Sequence, residues 1–166
     1  MRTRITVRKI MRTLAVLCFI FCFCPSFLVS CGGESTGINV MTAVKGITAQ
    51  GHRFAEPQPV MVLCYIIPLL IFIVLSLRNW PEYKAAILVL FSADVDTVYW
   101  IIFWASTRRS VEEAGYAFEV TNWFVCNMIS LAAIIVLSVL VLKRKVRLDP
   151  WPATVRHRLP YDSGGR

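Results

Sequence analysis

Four apolar segments punctuate the chain, at about residues 13–30, 59–77, 85–106 and 119–142, with polar or basic connections between them. Their lengths, roughly 18, 19, 22 and 24 residues, bracket the ~20 needed to cross a ~30 Å hydrocarbon layer. Helices are the predicted form, because an open strand in lipid leaves its backbone groups unpaired. Pro68, inside "CYIIPLLIF", predicts a kink in the second segment, since it lacks an N–H and crowds the preceding turn. The expected fold is therefore all-α, an integral membrane helical bundle of four transmembrane helices. No internal repeat is visible.

The pattern divides the chain into a basic N-terminus with the first apolar segment (1–30), an outer loop (31–58), a three-helix membrane region (59–142) and a basic tail (143–166). In the loop, Val40, Val44 and Ile47 fall at helical spacing; a short interfacial helix and a strand both fit. The tail, with three prolines after residue 148 and few aliphatics, reads as a disordered end anchored by Trp151. Composition agrees with membrane residence: 57% of residues are hydrophobic, 17% are charged, and the mean hydropathy is +0.61.

The net charge of +8 does not point to nucleic acid, because the basic residues flank apolar segments: five of the 18 Lys and Arg lie in "MRTRITVRKIMR" and four in "KRKVR". Such residues orient a membrane protein and meet anionic lipid. With the N-terminus inside, Arg2, Arg4, Arg8, Lys9, Arg12, Arg78, Lys84 and those after position 142 share one side, against Lys45, Arg53, Arg108 and Arg109 on the other. Both termini are thus expected in the cytoplasm, and Trp100, Phe103, Trp104, Tyr116, Phe118, Trp123 and Phe124 are expected as an outer interfacial belt.

Leu28-Val29-Ser30-Cys31 resembles the lipobox of bacterial lipoproteins, preceded by a basic start and an apolar run and followed by the tether-like "GGESTG". The resemblance implies cleavage before Cys31, acylation of that cysteine, and three remaining spans in a bacterial inner membrane. Retention of residues 13–30 as a first helix is the other reading. Cys18, Cys22 and Cys24 are spaced C-x3-C-x-C rather than as the CxxC of membrane thiol oxidoreductases. Together with Cys64 and Cys126 they read first as small apolar fillers. The same spacing is poor for zinc, and neither metal nor cofactor is expected.

The third segment carries two carboxylates at its centre, Asp94 and Asp96. A central Asp costs about 2.5–3.5 kcal/mol on insertion, which the flanking apolar residues can offset. Shielding by protein or water is nevertheless expected. Two residues apart is 200° around a helix, so the acids point to nearly opposite sides and are not a proton-sharing pair. Asp96 shares its face with Ser92, Ala93 and Tyr99; Asp94 shares its face with Leu90, Phe91, Thr97, Val98 and Ile101. On the fourth segment, Cys126, Asn127, Ser130, Ala133 and Ser138 form a small or polar stripe suited to close packing, and Asn127 is placed to donate to Asp96.

The last three spans contain no Lys, Arg or His, so the acids are expected as neutral hydrogen-bonders, as partners of a cation on another membrane protein, or as part of a proton or cation path. P-loop, HExxH and GxSxG motifs are absent. The leading expectation is an accessory or scaffold subunit, not an enzyme, that meets the bilayer and another membrane protein, or itself, through its third and fourth helices. A proton- or cation-coupled transport component using Asp94 or Asp96 is the rival, followed by a thiol–quinone redox protein.

Overall fold

The computed structural model of the chain describes residues 6–31, 34–49, 52–55, 57–77 and 80–148. The elements run α1 (Val7–Phe21), β1 (Phe27–Cys31), β2 (Glu34–Ile38), α2 (Val40–Lys45), β3 (Ile47–Ala49), β4 (His52–Ala55), a 3-10 turn (Pro59–Val62), α3 (Leu63–Ser76), α4 (Glu82–Glu113), β5 (Ala117–Val120) and α5 (Asn122–Leu142). Helix dominates, but the chain is not all-α. Strands form an antiparallel sheet in the order β2-β1-β5 and a separate β3-β4 hairpin.

Helices α1, α3, α4 and α5 form a ring in which α1 touches α3 and α5, and α4 touches α3 and α5. Cross-contacts fix the directions. Arg8 at the start of α1 donates to Leu75 O and Leu77 O past the end of α3 (3.3 and 3.1 Å), and its backbone N–H reaches Leu148 O beyond α5. At the opposite end of α1, Phe21 stacks near Trp123 at the start of α5 (5.9 Å). The arrangement is an up-down-up-down bundle with a basic end and a sheet end. Arg12 joins Arg8 at the basic end, its Nε donating to Leu75 O at 2.9 Å, so two guanidiniums satisfy carbonyls that the last turn of α3 leaves open.

Among the described residues, three helices are long and apolar enough to cross a membrane: Pro59–Ser76 (the 3-10 turn with α3), α4 and α5. Their outer faces are apolar; Leu69, Ile73, Ile102, Ile129 and Val136 are among the exposed side chains. The first segment corrects the expectation of a helix over 13–30. Helix begins at Val7, capped by Thr6 accepting from Lys9 N–H, and stops at Phe21 before Pro25. It buries Arg8, Met11, Ala15 and Cys18, with Cys22 one turn on, the three- and four-residue spacing of a bundle seam. At 15 residues it is about 22 Å long, short of a full span.

Residues 27–31 are instead the central strand of the sheet, burying Phe27 and Val29 and leaving Leu28 and Ser30 half-buried. Gly37 allows β2 to close on the turn before β1, for a Cβ there would stand 2.9 Å from Pro25 Cβ. Residues 31–58, expected as a loop, hold strands and the short helix α2, and the fourth segment begins as strand β5 before helix starts at Asn122. Trp151 and the tail beyond Leu148 lie outside the described residues.

The expected aromatic belt is largely an interior cluster. Trp100 and Phe103 are fully buried, and the Phe27 ring lies 5.2 Å from Phe103 and 5.1 Å from both Phe118 and Phe124. These rings weld the sheet to α4 and α5, since β1 and β5 cap the bundle there and bring Phe27 and Phe118 over it.

Candidate functional site

Toward the sheet end of α1, α3 and α5, the four helices bring polar and sulfur-bearing side chains into the interior of the bundle. The local cause starts at Pro68. Proline cannot donate to the carbonyl four residues earlier, so Cys64 O on α3 is released from the helix ladder. Cys22 of α1 comes to it, with Sγ 3.2 Å from Cys64 O and 3.2 Å from Cys18 O, so one thiol proton serves two carbonyls. A neighbouring helix satisfying a carbonyl freed by proline is how a kink is tolerated away from water. Tyr65 Oη adds a bond to Cys22 O at 3.2 Å, fastening the end of α1 to α3.

Asp96 of α4 enters the same neighbourhood. Its side chain is completely buried, lies against the Cys64 thiol, and is near enough to Cys18 and Cys22 to act on them electrostatically. Neither carboxyl oxygen completes a well-formed hydrogen bond. Along the same stripe of α4, Trp100 Nε1 and Thr107 Oγ1 are also buried and unpaired, and on α5 so are both amide atoms of Asn127. Asn127 sits one turn from Phe124, whose ring is 5.8 Å from Trp100. The anticipated Asn127–Asp96 hydrogen bond is not formed, because the carboxyl is turned toward Cys64 on α3. Among the described residues the other buried charged side chain is Arg8, which lies on α1 ten positions before Cys18, about 15 Å along the axis.

The two aspartates separate completely. Asp96 faces the interior with Ser92 and Ala93, both buried, and with half-buried Tyr99 at its edge. Asp94 is exposed, amid Ile87, Phe91, Val98 and Ile101, which are 43%, 67%, 54% and 48% exposed. Shielding of both acids was expected; among the described residues Asp96 receives it, on the side of α4 where α3 and α5 pack, and Asp94 is exposed. Of the α5 stripe, Asn127, Ser130 and Ser138 turn inward while Cys126 is exposed. Ser130 and Ser138 bond back to Cys126 O and Ile134 O, each at 2.8 Å, and so present little polarity to α4.

The thiols of Cys18, Cys22 and Cys64 were read from the sequence as fillers; their convergence on Asp96 is new information. The signal was present in part, as Cys18 and Cys22 continue the Met11–Ala15 seam and Pro68 stands four residues from Cys64. Cys18, Cys22, Cys24, Cys64 and Cys126 are free of disulfides. Among the described residues no group of three or more His, Cys, Asp and Glu converges tightly enough to hold a metal ion. Cys31 lies in β1 opposite Glu34, so cleavage ahead of it would remove α1 and all of β1 but its last residue. No family model, curated protein or solved structure matches the chain.

Proposed function

We propose that this chain is an accessory or scaffold subunit of a membrane assembly, joined to another membrane protein through α4 and α5 with Asp94 at the centre of the contact. One observation carries this reading: an exposed carboxyl on an otherwise apolar outer face, half-way along a helix long enough to span. Counting from Lys84 and Arg108, Asp94 is about 15 Å and about 21 Å from the nearest basic residues along α4, the depth of a bilayer centre. Left against lipid it costs about 2.5–3.5 kcal/mol. A cationic side chain on a facing helix removes that cost. The described spans of this chain carry no such cation at that depth, so a second copy does not supply one and the partner is a different protein.

In this reading the basic end lies in the cytoplasm of a bacterial cell, with the sheet outside. Residues 7–31 stay attached as the fourth wall of the bundle, a view supported by the burial of Met11, Ala15, Cys18, Cys22 and Phe27. The test is purification of the full chain in mild detergent. A stoichiometric second membrane protein accompanies the native chain and is lost from Asp94→Asn; recovery of the same partner by that variant rejects the proposal.

The unpaired interior groups favour one second reading, a proton- or cation-coupled transport component working through Asp96 and Asn127. Proton uptake by vesicles containing the purified chain, abolished by Asp96→Asn and untouched by Asp94→Asn, would establish it in place of the first.

A further inference from the structure

Two long helices of this chain end in the same hydrogen-bonded motif with different residues at its key position. At the end of α4, Gly115 N–H bonds to Glu112 O (3.0 Å) and Tyr116 N–H to Val111 O (3.1 Å), and Gly115 has φ +78°. At the end of α5, Arg144 N–H bonds to Val141 O (3.0 Å) and Lys145 N–H to Leu140 O (3.0 Å), and Arg144 has φ +55°. Glycine is the usual occupant, because a Cβ is disfavoured in the left-handed conformation. Arg144 is the one described non-glycine residue with positive φ. A strained residue kept where glycine fits better points to a use for its side chain.

Arg144 lines a cleft of about 490 Å³ at the basic end, together with Glu82, Tyr83, Val141, Leu142, Val146 and Arg147. The cleft lies where the apolar lengths of α4 and α5 give way to charge. Its walls grade from aliphatic to guanidinium, with Tyr83, 64% exposed, at one side. Glu82 opposes an anion, but Arg144 and the flanking exposed Lys84, Lys143 and Lys145 outnumber it. We propose that this cleft binds the phosphate headgroup of an anionic phospholipid, with Arg144 as its principal ligand and Val141, Leu142 and Val146 receiving the start of the acyl chains. Guanidinium forks match phosphate oxygens, and a cleft with an aliphatic floor selects a lipid over a free ion. The inference uses the membrane reading above but not the contact at Asp94.

Native mass spectrometry of the detergent-purified full chain, titrated with phosphatidylglycerol, phosphatidylcholine or inorganic phosphate, tests it. The decisive variant is Arg144→Gly, which removes the guanidinium while giving the helix end the residue its backbone prefers, so loss of binding is not loss of fold. Phosphatidylglycerol affinity is expected to fall about fivefold, the weight of one basic side chain at an anionic surface, with thermal stability unchanged or raised. Arg108→Gln, at the sheet end, leaves the affinity as it was. Unaltered phosphatidylglycerol binding by Arg144→Gly overturns the proposal, as does equal binding of phosphatidylcholine. Displacement of the lipid by inorganic phosphate at equal concentration overturns the lipid assignment in favour of a free anion.

Discussion

Asp94 and Asp96 are separated by one residue on the same helix, yet one is exposed among isoleucine, valine and phenylalanine and the other is sealed inside the bundle. The helical repeat alone turns them apart; what differs is the company each finds. Asp96 meets thiols from α1 and α3, beside the Cys64 carbonyl that Pro68 leaves open. Asp94 is exposed among apolar side chains of its own helix. In the reading proposed above, the interior acid belongs to how the fold is built and the exterior acid to the contact with a partner.

The largest effect that would break this contrast lies in packing. Trp100→Ala, on the Asp96 side, is expected to destabilise the bundle by about 3–5 kcal/mol, whereas Ile102→Ala on the outer side costs under ~1 kcal/mol. Denaturant unfolding in detergent measures both, and equal losses would mean that the interior face has been misassigned. Next is partner affinity. Asp94→Asn is expected to weaken the complex by about 2–5 kcal/mol, the cost of leaving the facing cation unmatched, while Asp96→Asn leaves it unchanged in a competition pull-down.

Smaller is the effect of Asp96→Asn on folding. It is expected at no more than ~1 kcal/mol, because the carboxyl makes no well-formed hydrogen bond that the isosteric amide forfeits. Smallest is Pro68→Ala. The restored N–H competes for Cys64 O, so the Cys22 S–H stretch should move to higher frequency in the infrared with little change in stability.

Much of the membrane region was legible. Residues 59–77 and 85–106 are oily runs with no rival interpretation, and they return as α3 and the centre of α4. The opposed directions of Asp94 and Asp96 follow from periodicity alone. The extent of the first helix differs from the hydropathy reading because residues 13–30 hide two periods. Met11, Ala15, Cys18 and Cys22 repeat every three or four residues, and after Pro25 the burial of Phe27 and Val29 alternates with Leu28 and Ser30. The sheet was missed for a physical reason: β1 pairs with β5, about ninety residues later in the chain, and no local pattern announces such a partner. The convergence of Cys18, Cys22 and Cys64 on Asp96 was hidden likewise, since it depends on α1 lying beside α3 and on a carbonyl that proline sets free.

Photo-crosslinking from position 98, on the outer face one turn from Asp94, tests the central claim most directly because it leaves Asp94 intact. A photoreactive residue replacing Val98 in cells should form a covalent adduct with a second membrane protein, at a spanning segment bearing Lys, Arg or His at mid-depth. That adduct should vanish when Asp94→Asn is added. Adducts with lipid alone, or a protein adduct indifferent to residue 94, would contradict the account.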